Sequence, residues 1–143
     1  MNGTILVVAA SPNLSRGIMR NLTELGHKTH VRIIGVQQKE PVDGILKAFA
    51  IDRKPIDIRL GECAVAFVDA ILFGEIRGWD LIPFLKNGGV ECFGISSMYR
   101  ALMKQSGVTR SMDMLETYAF FREELPKVYA EACKRLEGSK QAV

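Results

Sequence analysis

The sequence predicts an α/β protein, a three-layer α/β/α arrangement around a doubly wound sheet of five parallel strands, and three observations predict it. Short apolar runs alternate along the chain with stretches of helical periodicity, the order that βαβ units produce. The runs Thr4 to Ala9, Cys63 to Val68 and Val90 to Ile95 are apolar almost throughout instead of alternating, as expected of strands covered on both faces. The 143 residues, 48% of them hydrophobic and 24% charged, suffice for one domain with a real core, spanning 1–143, and fall short of two ordinary ones.

Taken in order, Thr4 to Ala9 is the first strand. Ser11 caps the helix that follows, Pro12 takes its first position, and Leu14, Ile18, Leu22 and Leu25 recur at helical spacing until Gly26 stops it. Thr29 to Ile34 is the second strand, and Val42 to Phe49 a short helix. Beyond it the pattern weakens. Pro55-Ile56-Asp57-Ile58-Arg59-Leu60 alternates as an exposed strand or extended loop does, and residues 38 to 62 form an insertion between the second and third main strands. That segment offers an edge for strand addition. Cys63 to Val68, ending at Asp69, is the central strand. Trp79 to Lys86 is a helix with Asp80 as its cap and Pro83 in its first turn, closed by Gly88 and Gly89. Val90 to Ile95, ended by Ser96 and Ser97, is the next strand; Met98 to Gln105 is a helix stopped near Gly107, and Thr109 to Met114 is the last strand. A C-terminal helix reaches about Leu136 with Leu125, Val128, Ala132 and Leu136 toward the core. Pro126 either kinks it or marks its start, according to whether residues from Thr117 onward are already helical.

Composition excludes several classes of function. The formal charge of +3 comes from Lys and Arg scattered among carboxylates, with no basic stripe interleaved with aromatics, so nucleic-acid binding has no footprint. Cys63, Cys92 and Cys133 are an odd, widely spaced set without a CxxC pair, which suits reduced thiols of a cytoplasmic protein and indicates neither a disulfide framework nor a metal cluster. No apolar run approaches membrane-spanning length and no leader pattern opens the chain, so a membrane partner is not expected. His27 and His30, three apart on a strand, would face opposite ways and not share a metal. Gly94-Ile95-Ser96-Ser97-Met98 resembles half of a nucleophile elbow but lacks the second glycine. GxGxxG and GxxxxGK[ST] are both missing. No cofactor is expected, and the chain is not expected to be an enzyme.

In open α/β sheets chemistry sits at the carboxyl ends of strands, so the residues after each apolar run carry the functional information. The order Ile5 to Asn13, Asp69, Gly78-Trp79-Asp80-Leu81, Phe93-Gly94-Ile95-Ser96-Ser97 and Ser106-Gly107-Val108 resembles the receiver domains of bacterial response regulators, over most of the chain outside 38 to 62. The resemblance implies a flavodoxin-like, CheY-like fold and two-component signal transduction, with phosphorelay to a strand-end aspartate. It places Asp69 as the phosphoacceptor equivalent and Ser96 as the phosphoryl-sensing hydroxyl equivalent. Ser96 has a plainer reading as a strand-end or helix cap, and Asp69 as a local backbone acceptor. A slipped register puts Gly74 at the acceptor position instead.

The resemblance also implies an acidic metal pocket and a lysine, and this chain departs from both. Ala9 and Ala10 stand where the metal-holding acids belong, and the lysine position falls on Met114, or on Asp113 with a slip of one. A carboxylate attacking a phosphoanion needs those cations. The expectation is therefore an atypical, pseudo-receiver domain acting through protein–protein interaction, with a signalling protein or kinase as partner and no bound metal. By the resemblance the partner or homodimer face runs from about Met98 to Leu136, with Tyr118 and Phe121 as its apolar contacts. Two alternatives stand beside it: a working receiver phosphorylated at Asp69 by a histidine kinase, and a small flavodoxin-like ligand-binding protein.

Overall fold

The computed structural model describes residues 3–72 and 74–141. In chain order the elements are β1 (Thr4–Val8), α1 (Pro12–Glu24), β2 (Val31–Val36), β3 (Ile45–Phe49), β4 (Pro55–Arg59), β5 (Cys63–Asp69), α2 (Gly78–Asn87), β6 (Glu91–Ile95), α3 (Arg100–Ser106), β7 (Arg110–Met112), α4 (Met114–Glu123) and α5 (Leu125–Gln141), with a 3-10 turn at Leu60–Glu62. The strands form one sheet in the order β4-β3-β2-β1-β5-β6-β7. Within it β2, β1, β5, β6 and β7 run parallel, the five-stranded doubly wound core that the sequence predicts. The strand order reverses between β1 and β5, where Val7 pairs with Phe67 and Val8 with Val68. That reversal opens a crevice beyond their carboxyl ends.

Each face of the sheet carries its own apolar layer. On one face Ile5, Val7, Val65, Phe67, Phe93 and Ile95 meet Ile18 and Leu22 of α1, Phe120 and Phe121 of α4, and Leu125 and Ala132 of α5. Phe67 and Phe121 pack edge to face with centroids 4.9 Å apart, a favoured aromatic geometry. The opposite face sets Leu6, Val8, Ala66 and Val68 against Leu81, Ile82 and Leu85 of α2 and Met103 of α3. Leu46, Ala48, Ile58 and Leu60 complete that second layer.

Those last four residues belong to the insertion, which differs from expectation. Residues 42–49 do not form a helix; they form a turn and β3, which pairs antiparallel with β4, making the sheet seven-stranded and mixed. The reason lies in Asp43-Gly44. Both take positive φ, 53° and 75°, and Val42 and Ile45 exchange both backbone hydrogen bonds across them at 3.0 Å. This is a two-residue reversal of the Asp-Gly kind. After it Leu46 and Ala48 turn inward while Lys47 and Phe49 turn out, a period of two. Pro55–Arg59 is the exposed strand the alternation predicts, with Asp57 bound to Lys47 at 2.8 Å.

Smaller corrections have local causes. Leu25 is the C-cap of α1 and 38% exposed, so it leaves the apolar stripe. Asp80 is the third residue of α2, not its cap; its carboxylate accepts from the Arg77 N–H at 3.1 Å, and Pro83 lies inside the helix. Residues beyond Thr117 are already helical, so the C-terminal helix is two helices. The α4 helix ends at Glu123 and α5 starts at Leu125, which puts Pro126 in a first turn that needs no donor there.

Candidate functional site at the strand ends

A cleft of about 250 Å³ lies beyond the carboxyl ends of β5, β6 and β7, lined by Asp69 to Ile71, Ile95 to Tyr99, Asp113, Met114 and Leu14 of α1. Its lining contains no lysine, arginine or histidine. Asp69 ends β5 and is half-buried. Burial pushes its carboxyl above the ordinary carboxylate range, and the N–H groups of Ala70 and Ile71 pull it partly back. The backbone beyond it is closed by Gly78, whose N–H donates to the Ala70 carbonyl at 2.8 Å. A Cβ at Gly78 would lie 2.2 Å from the Asp69 carbonyl oxygen, so the α2 start approaches Asp69 more closely than any other residue allows.

The neighbouring strand ends supply hydroxyl, carboxylate and methyl groups. Ser96 is fixed twice: its N–H donates to the Met112 carbonyl and its Oγ accepts from the Tyr99 N–H, both at 2.8 Å. This local turn explains why α3 begins at Arg100 and leaves Met98 outside it, 82% exposed. Asp113 is the N-cap of α4, accepting from the Glu116 N–H at 2.8 Å while the Glu116 carboxylate accepts from the Asp113 N–H at 3.2 Å. Arg100 ties to Glu116 and lies 3.5 Å from the Asp113 carboxylate. Met114 is the first residue of α4 and packs against the first apolar layer. Because Val8 pairs with Val68, Ala9 leaves the sheet beside Asp69; it is buried in the core, and neither it nor Ala10 lines the cleft.

The structure thus gathers Asp69, Ser96 and Met114 at one cleft and separates the two residues expected at a contact face. Phe121 is fully buried against Phe67, and Tyr118 is half-buried in the α1–α4 contact, its hydroxyl where a Cβ on Gly17 would stand. A Phe121 side chain in the core has no surface to offer a partner. The exposed apolar side chains of this region are Ile71, Met98, Leu102 and Leu115. Sequence patterning misses them because an apolar residue just outside a helix's inward stripe has no periodic signature. Far from the cleft, His27 and His30 lie before β2, not on it, and their rings meet 6.3 Å apart against Tyr129. Among the described residues no three His, Cys, Asp or Glu side chains are placed to hold a metal.

No protein-family model matches the chain, and no curated protein matches it in sequence. Solved structures do match. The signal receiver domain of a modulated diguanylate cyclase from Desulfovibrio desulfuricans superposes with a TM-score of 0.58 at 13% identity, covering 94% of this chain and 99% of that one. The fold is that of a receiver domain. NtrX from Brucella abortus gives a TM-score of 0.61 at 16% identity over 97% of this chain, which spans only 29% of the NtrX chain. A pilus assembly-related protein from Burkholderia pseudomallei gives 0.56 at 14% identity over 90% of both chains. The cleft described above lies beside the reversal of strand order, on its β5–β6–β7 side, at the carboxyl ends where this topology places ligands. No helix among the described residues is long and apolar enough to cross a membrane.

Proposed function

We propose that this chain is a receiver-fold signalling domain that works by contacting a protein partner and does not run metal-dependent phosphoryl transfer onto Asp69. The donor set at the strand ends carries the reading. Asp69 is the one carboxylate of the cleft without a basic neighbour, and the β1 end carries Ala9 and Ala10, outside the cleft lining, where the resemblance implies acids. Magnesium takes a near-octahedral set of oxygens, usually one or two carboxylates with waters and a phosphate. Asp69 alone offers such an ion one carboxylate, where the receiver resemblance implies further acids at the positions of Ala9 and Ala10. Asp113 and Met114, at the lysine position, carry no positive charge. Two unit charges about 4 Å apart interact by about 4 kcal/mol near a surface, so losing the metal ligands and the lysine together costs several powers of ten in rate.

The contact surface on this reading is the rim of the cleft with the adjoining starts of α3 and α4, where Met98 and Leu115 are 82% and 81% exposed. The partner is a signalling protein, and a second copy of the chain is the form it takes if the same rim self-associates. Cys63 and Cys92 are free, buried and pushed up to about 12 by burial, which fits inert thiols in a reducing cytoplasm. The test is capture of partners from the cells that make the protein. Met98→Asp with Leu115→Asp removes the specific partner while a Leu25→Asp control on the far end of α1 retains it. Retention by the paired variant overturns the assignment of this surface.

A further inference from the structure

We infer that the strand-end cleft seats a basic side chain, arginine or lysine, carried on a partner protein's segment whose neighbouring apolar residues cover Met98 and Leu115. The inference rests on reading the domain as a protein-interaction module and names what the partner must bring. Of the two carboxylates lining the cleft, Asp113 is committed to the α4 N-terminus and lies beside Arg100. Asp69 makes no ion pair among the described residues, and the N–H groups of Ala70 and Ile71 leave part of its accepting capacity open. A half-buried carboxylate framed by Ile71, Ile95 and Met98 attracts a cation more strongly than one in open water, because the apolar walls lower the local dielectric. The Ser96 oxygen accepts from the Tyr99 N–H and keeps a second lone pair for a donor in the cleft.

The size and rim of the cleft select the form of the ligand. At about 250 Å³ it lies below the range of sites that enclose a drug-sized molecule and suits one long side chain. A free amine would leave Met98 and Leu115 in water. An extended segment covers them, and the flexible Met98 thioether adapts to different apolar neighbours.

The experiment is an NMR titration of the full chain, isotope-labelled, with three probes: the acetylated amide Leu-Arg-Leu, the same peptide with neutral citrulline for arginine, and arginine amide alone. The Leu-Arg-Leu probe is expected to shift the amides of Ala70, Ile71 and Ser97, with binding at least about tenfold weaker for the citrulline peptide and for Asp69→Asn. Equal binding of the arginine and citrulline peptides overturns the inference, as does shifting confined to another face or no shift up to roughly 10 mM. Arginine amide binding as well as the peptide overturns the partner segment in favour of a small cation. These failures leave the interaction reading standing, whereas phosphoryl transfer onto Asp69 from a small donor removes that reading itself.

Discussion

Asp69 is a carboxylate held where ionisation is unfavourable. Its folded pKa lies above the ordinary carboxylate range because of burial, so the folded state holds the proton more tightly than the unfolded chain. The associated stability is greatest below that range and is lost as pH rises through the folded value. At neutral pH the ionised side chain therefore costs stability, and Asp69→Asn is expected to raise Tm by a few degrees near pH 7 and much less near pH 3. A gain of equal size at both would contradict it. His27 works in the opposite sense: burial first, and His30 second, lower its pKa. The unfolded chain then binds more protons as pH drops below the ordinary imidazole range near about 6.5, and stability declines there. Scanning Tm from about pH 7 to 5 should show that decline, blunted in His27→Asn.

At the scale of elements, the parallel core and the exposed strand of the insertion were legible, and residues 42–49 were not. Ser11-Pro12 and Gly26 bound α1, and Cys63–Asp69 is so uniformly apolar that a strand buried on both faces is its natural reading. Residues 42–49 misled because Val42, Ile45, Leu46 and Phe49 also match a helical spacing. The Asp43-Gly44 pair decides the matter, since both residues take the positive φ that a two-residue reversal needs. A Cβ at Gly44 meets no atom within 4 Å, so Gly44→Ala is a pure backbone test. It should cost about 1–2 kcal/mol in urea unfolding, and an effect near zero would mean that the turn is not set by that residue. The break between α4 and α5 was half legible: Pro126 gave the place, and only the capped start of α4 at Asp113 shows that two helices meet there.

For the whole molecule, the receiver fold and the arrangement of its cleft follow from strand order, whereas surface function depends on side chains that periodicity does not single out. Asp69 and Ser96 could be placed from sequence because a strand end has a fixed address in this topology. Phe121 could not, because one aromatic on an amphipathic helix differs from its neighbours only in the direction it faces. Phe121→Ala is accordingly expected to cost about 3–5 kcal/mol of stability, as loss of a buried aromatic does, and Leu115→Ala much less. A mild effect of Phe121→Ala in chemical denaturation would return that ring to the surface. On the proposed function, Asp69 stands at the acceptor position of a receiver fold without the cations that would make it reactive. The most direct test is the intact mass of the purified chain after incubation with acetyl phosphate and magnesium, alongside a receiver domain that accepts phosphate under the same conditions. An unchanged mass is expected for this chain, and a stable gain of one phosphoryl group on Asp69, abolished in Asp69→Asn, would contradict the proposed function.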